Sequence, residues 1–120
     1  MKTQFQVLAA LAGAASLLAG VPAWAHAHLV ASNPKADATV AAPKTITLTF
    51  NEKLVPAFSS FELVTPAHGK VAVKTVVSKD GKSISGAPQG VLAAGAYKIA
   101  WKVASADGHH MTGEIAFKVG

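Results

Sequence analysis

The chain reads as all-β, a β-sandwich or barrel, and three observations carry that reading. After residue 25, apolar and polar residues alternate with a period of two in a series of short runs. Turn signals separate those runs: Asn33-Pro34, Pro43, Pro66 to Gly69, Asp80-Gly81, Pro88 to Gly90, Ala94-Gly95 and Asp107-Gly108. No stretch there keeps the 3.6-residue apolar spacing of an amphipathic helix.

The first stretch is of another kind. Lys2 supplies a short positive start, "FQVLAALAGAASLLAGV" carries no charge, and Ala23-Trp24-Ala25 has the small-x-small spacing that signal peptidase accepts. A membrane span is the competing reading. The run is shorter than the roughly 20 apolar residues a span needs, and no basic flank follows it. Residues 1–25 are therefore expected to be a cleaved signal peptide, and residues 26–120 the working domain of a periplasmic protein that does not span the membrane. On that reading His26 is the first mature residue.

The strands follow in order. "HAHLVAS" (26–32) places His26, His28 and Val30 on one side and Ala27, Leu29 and Ala31 on the other, with Leu29 as its anchor to the core. "KTITLTF" (44–50) turns Ile46, Leu48 and Phe50 inward. "NEKLVPAF" (51–58) breaks the pattern and reads as a loop or a single helical turn. "SFELVT" (60–65) and "KVAVKTVV" (70–77) resume the alternation, the second through Val71, Val73 and Thr75. "AYKIAWKV" (96–103) sets Tyr97, Ile99, Trp101 and Val103 against Lys98 and Lys102. "GEIAFKVG" closes the chain with Ile115, Phe117 and Val119 inward.

Composition removes several kinds of chemistry. The chain has no cysteine, which excludes zinc fingers, iron–sulfur clusters, thiolate nucleophiles and disulfide support. Its eleven basic residues are all lysines, scattered along the strands, against six acidic ones. Without arginine there is no bidentate contact to a base or phosphate, so the lysines read as a solvated sheet surface and not as a nucleic-acid face.

The five histidines cluster. His26 and His28 open the mature chain, His109 and His110 are adjacent in "SADGHHMTG" (105–113), and His68 sits alone in a turn. An extended Asp107-x-His109 segment would present a carboxylate and an imidazole on one side of its loop. An N-terminal His26 would add two donors, its α-amine and ring Nδ1, which close a chelate ring on one metal. The amine's ordinary pKa is about 7.7–8.0, so a metal displaces its proton easily at neutral pH. Amine, two imidazoles and a carboxylate form a tetragonal nitrogen–oxygen set, the geometry that Cu(II) prefers. His28, in the third position, could instead bind Cu(II) through the amine and two deprotonated backbone amides. That mode would pull the first strand from its hydrogen bonds, which leaves His28 a supporting residue. His110 is a weaker candidate, His68 reads as a solvated turn residue, and Met111 alone cannot build a methionine-rich Cu(I) site.

Beyond this chemistry, "HAHLVASNPKADATVAAPKTITLTFNEKL" and "LAAGAYKIAWKVASADGHHMTGEIAFKV" resemble the periplasmic copper-resistance protein C (CopC) family along nearly the whole mature chain. The most specific parts are the histidine start, the P-x-x-I-x-L-x-F strand and the block G-x-Y-x-x-x-W-x-x-x-S-x-D-x-H-x-x-x-G. The resemblance implies a Greek-key β-sandwich or barrel, cupredoxin-like or immunoglobulin-like in outline. It also implies one Cu(II) ion held by residues matching His26, Asp107 and His109, and an inner-membrane copper transporter as partner. A Cu(I) site is not expected, because "LVTPAHGKVAVKTVVSKDGKS" contains no methionine. A monomeric, non-catalytic carrier or buffer is the leading reading. A copper-dependent oxidative enzyme of the N-terminal-histidine type and a metal-free structural sandwich are the alternatives.

Overall fold

The computed structural model describes residues 27–120, so the expected signal peptide and His26 lie outside the described residues. The strands are β1 (Leu29–Asn33), β2 (Thr39–Val40), β3 (Ile46–Phe50), β4 (Ser60–Val64), β5 (Lys70–Val71), β6 (Val73–Val77), β7 (Ser83–Pro88), β8 (Gly95–Ala104) and β9 (His110–Val119). They pair into two sheets, ordered β1-β3-β7-β6 and β2-β9-β8-β4-β5. The short β2 runs parallel to the end of β9, while β8 and β9 form a long antiparallel hairpin. The chain changes sheet between β1 and β2, β2 and β3, β3 and β4, β5 and β6, and β7 and β8. The result is a β-sandwich. Among the described residues no helix is long and apolar enough to cross a membrane.

The alternation read from the sequence builds the interior. Ile46, Leu48, Phe50 and Ile84 are buried from one sheet, and Phe61, Leu63, Ile99, Val103, Ile115 and Phe117 from the other. Each such side chain contributes about 1.5–3 kcal/mol when fully buried, which matters in a chain without a disulfide. Trp101 and Phe50 meet across the two sheets in a T-shaped pair with ring centroids 5.2 Å apart. Tyr97 stacks on Phe117 at 5.6 Å, and its hydroxyl donates to the Ala93 carbonyl at 2.7 Å, so burial leaves no orphaned donor. On the outer side, Thr47 and Thr49 pair by hydroxyl with Ser85 and Ser83, each at 3.1 Å.

Three local expectations change. In β1 the register to β3 shifts between Leu29 and Ala31, a bulge at Val30. The bulge resets the alternation, so Ala27 is buried and Leu29 packs on the core while Ala31 faces out. Residues 70–77 are not one strand. The period of two continues, but the hydrogen-bonding partner changes at Ala72, from β4 in one sheet to β7 in the other. Strand β7 escaped the pattern because its inward positions are Ile84 and Gly86, and a Cβ at Gly86 would stand 2.6 Å from Val73 Cγ1. The 51–58 segment is a loop with a single 3-10 turn at Pro56–Phe58, as its broken pattern predicts.

Candidate metal centre

Two pieces of sequence share the pattern Ser-x-Asp-Gly-x, Ser78 to Lys82 and Ser105 to His109, and they fold into the same turn. In each, the glycine N–H donates to the serine carbonyl at 2.9 Å. The serine hydroxyl donates to the aspartate Oδ1, which also accepts the backbone N–H of the residue after glycine, at 3.0 Å from Lys82 and 3.2 Å from His109. Both glycines sit at positive φ, 78° for Gly81 and 90° for Gly108, where a Cβ would be strained. The Ser78 hydroxyl and the Lys82 N–H hold the Asp80 carboxyl below its ordinary range. Asp107 lies lower still, at about 2, through the Ser105 hydroxyl first and then the His109 ring and backbone N–H.

The last residue of the pattern is what separates the two turns. His109 Nδ1 lies 2.9 Å from Asp107 Oδ2, and both side chains are about half exposed, 53% and 46%. An imidazole that donates through Nδ1–H carries its lone pair at Nε2, the form in which histidine ligates metal. The two residues meet through a turn, not through the extended backbone expected from their spacing. An ionised carboxylate and an oriented imidazole, open to solvent, fit a cation of nitrogen–oxygen preference. The duplicate turn supplies a control. Lys82→His recreates Ser-x-Asp-Gly-His at the other position, and isothermal titration should find the number of copper equivalents unchanged from the wild type, because the chain has a single N-terminus to complete a set of donors.

The sandwich brings this turn to the end where β1 begins. Strand β8 delivers Ala104 and the fully buried Ser105, and Ser105 bridges to Leu54. The Val55 N–H donates to the Ala104 carbonyl at 2.8 Å, and the Ala106 N–H to the Lys53 carbonyl at 3.3 Å. A few residues earlier in the same segment, Asn51 clamps His28 from both sides. Its N–H donates to the His28 carbonyl at 3.0 Å, and its Oδ1 accepts the His28 N–H at 2.6 Å. Residues 51–55 thus tie the start of the first strand to the Asp107–His109 turn.

Of the other residues singled out by sequence, His28 is exposed and held through its backbone, and His110 opens β9 with its ring edge-on to Phe58 at 6.1 Å. His68 is at the opposite end, in the loop after Val64, which pairs with Lys98 near the start of β8. The length of β8 puts that loop about 30 Å from the turn by strand rise. Met111 packs against the core. Among the described residues no three His, Asp or Glu side chains converge on one point, and His26 lies outside them. Ser105 and Asn51 were missed. The repeated Ser-x-Asp-Gly pattern points to Ser105, whereas nothing in the periodicity points to Asn51.

Fold and site together describe a small β-sandwich protein with an exposed carboxylate–imidazole pair at one end. The CopC domain family matches residues 29–120. Copper resistance protein C of Xanthomonas campestris pv. juglandis is 45% identical over 112 residues, 88% of either chain. Its namesake from Pseudomonas syringae pv. tomato is 42% identical, over 88% of this chain and 90% of that one. The crystal structure of PcoC, described as a methionine-rich copper resistance protein from Escherichia coli, superposes with a TM-score of 0.70 at 38% identity, over 79% of this chain and 99% of that chain. A Bacillus subtilis protein named copper transport protein CutJ is 30% identical over 100 residues, 81% of this chain but 18% of that longer one. The chain belongs to the CopC family.

Proposed function

We propose that the chain is cleaved after Ala25 and that the mature protein, starting at His26, carries one Cu(II) ion in the periplasm as part of copper resistance. The observation that carries this reading is the half-exposed, ionised Asp107 bonded to the His109 ring at the end where β1 begins. Copper is the cargo. The α-amine and Nδ1 of His26, the His109 imidazole and the Asp107 carboxylate are its ligands, with His28 in support. Asp107 Oδ2 is the oxygen that exchanges the His109 ring for the metal, while Ser105 and the His109 N–H keep Oδ1. Cu(II) fits this donor set. The relative described as methionine-rich differs from this chain, whose two methionines are Met1, in the expected signal peptide, and the core-packed Met111.

The role is that of a carrier or buffer and not of an enzyme, because a carboxylate in the ligand set leaves less of the metal open to a substrate. The partner is a copper transporter of the inner membrane; its copper-transport role is supported by the likeness of this chain to one part of a longer protein named for copper transport. The decisive experiment compares the protein starting at His26 with one carrying a single extra glycine ahead of it. The extension moves the amine away from the ring. Titration should show Cu(II) affinity falling by more than about a hundredfold, beyond what loss of a supporting contact causes, with an altered EPR spectrum. Equal binding by the two forms would remove the His26 amine from the site. Turnover of a reductant and peroxide on a glycan would replace the carrier reading with the oxidative enzyme.

A further inference from the structure

We infer that Asn51 selects which of two Cu(II) coordination modes the N-terminus adopts; the inference rests on His26 being the first residue and a copper ligand. A free N-terminus with histidine in its third position has a strong alternative use. Its amine, the amide nitrogens of residues two and three, and the third-position imidazole can wrap one Cu(II) in a square plane. Here those groups are the His26 amine, the Ala27 and His28 amides, and the His28 ring. In that mode copper takes the place of both amide protons, and the chain must curl around the metal.

The fold opposes that mode at both residues, through the amide of His28 and the buried side chain of Ala27. The His28 N–H, which the mode would consume, is the proton given to Asn51 Oδ1 at 2.6 Å. The Asn51 N–H holds the carbonyl of the same residue at 3.0 Å, so His28 is gripped on both sides of its Cα. Ala27 is 1% exposed, and curling its backbone around a metal would draw its side chain out of the core. Asn51 is itself exposed and follows directly after β3, where Leu29 pairs with Phe50, so its side chain is available for the clamp and not committed to the core. With the N-terminal strand held extended, the amine and ring of His26 remain as the donors that this terminus offers. The metal then needs Asp107 and His109 to complete its sphere. The clamp therefore makes copper a reporter of the folded domain, where the unfolded N-terminus would bind it alone.

The test uses the full mature protein and its Asn51→Ala variant. In the metal-free variant, the His28 amide should exchange its hydrogen about tenfold faster, the effect of losing one net hydrogen bond. With Cu(II) bound, the visible band should move to shorter wavelength and g∥ should fall, as amide nitrogens replace the carboxylate and a ring. The doubly substituted Asn51→Ala/His28→Ala protein lacks the third-position imidazole and should lose the short-wavelength band, because the square plane of the alternative mode cannot close without that ring. Circular dichroism and the melting curve confirm that each variant is folded. A wild-type copper spectrum in Asn51→Ala, with the His28 amide already exchanging faster, overturns the inference. So does a short-wavelength band with low g∥ already present in the wild-type protein. A wild-type protein that binds copper identically with and without an added N-terminal glycine fails at the earlier step, in the ligand set and not in Asn51.

Discussion

His109→Ala should lower Cu(II) affinity by more than about a hundredfold while leaving the metal-free protein folded and close to its original stability. The side chain is about half exposed, so truncation opens no cavity. The turn keeps its backbone frame, because the Ser105 N–H still reaches the carbonyl of residue 109 at 2.9 Å and the N–H of residue 109 still reaches Asp107 Oδ1. What disappears is the imidazole proposed as a ligand and the group that meets Oδ2 of Asp107 at 2.9 Å. The loss is read most directly as a melting shift. A ligand that binds only the folded state stabilises it by RT ln(1 + [L]/Kd), so each lost decade of affinity removes about 1.4 kcal/mol of copper-dependent stabilisation at fixed free metal. A hundredfold loss removes about 2.7 kcal/mol, a shift of about 10 °C or more for a domain of this size. His68→Ala, at the other end of the sandwich, should leave the copper-induced shift intact. A full copper shift in His109→Ala would take this residue out of the site.

How much of this was written in the sequence depends on which physical effect fixes each feature. Burial is legible where it comes from regular alternation, so Ile46, Leu48 and Phe50 on β3 and Ile115 and Phe117 on β9 were readable directly. Hydrogen-bond partnership is not a property of one strand. Residues 70–77 keep their alternation through Ala72 while exchanging one sheet for the other, and only the partner strands reveal it. Strand β7 was silent because its interior is made partly of absence, a glycine under Val73, and its outer face of serines. The site shows the same division. Asp107 and His109 are close in sequence and their meeting is local, fixed by a turn whose chemistry Ser105 and Gly108 state. Asn51 meets His28 across 23 positions through one amide oxygen, and no composition or period encodes such a contact.

Gly113→Ala is the second large effect expected, and it separates architecture from chemistry within the block that runs from Gly95 to Gly113. Gly113 stands directly opposite Trp101 in the β8–β9 ladder. A Cβ built on Gly113 would lie 2.2 Å from Trp101 Cζ2 and 2.6 Å from Cε2, distances no real Cβ tolerates. The ring cannot yield inward, because it already packs against Phe50 in a T-shaped pair with centroids 5.2 Å apart. It has no hydrogen bond to hold it, since Nε1 is buried without an acceptor among the described residues, so its position is set by packing alone. A single methyl group must therefore either displace the indole or spread the hairpin. Overpacking costs about 1–3 kcal/mol, and loss of a packed tryptophan about 3–5 kcal/mol, so about 3 kcal/mol is expected, a fall in Tm of more than about 10 °C. Trp24 belongs to the expected signal peptide, which leaves Trp101 as the lone tryptophan of the mature chain, and its fluorescence reports the displacement directly. Shortening the ring should relieve the clash: Trp101→Leu and Gly113→Ala together should destabilise less than the sum of the two, a coupling that a double-mutant cycle measures. At temperatures where Gly113→Ala remains folded, its Cu(II) spectrum should match the wild type, because Ser105, Asp107 and His109 lie in the turn beyond the clash. Additive losses in the cycle would show that Gly113 is needed for something other than room for Trp101. A changed copper spectrum in the folded variant would show that the tryptophan–glycine pair sets the geometry of the metal site as well as the hairpin that carries it.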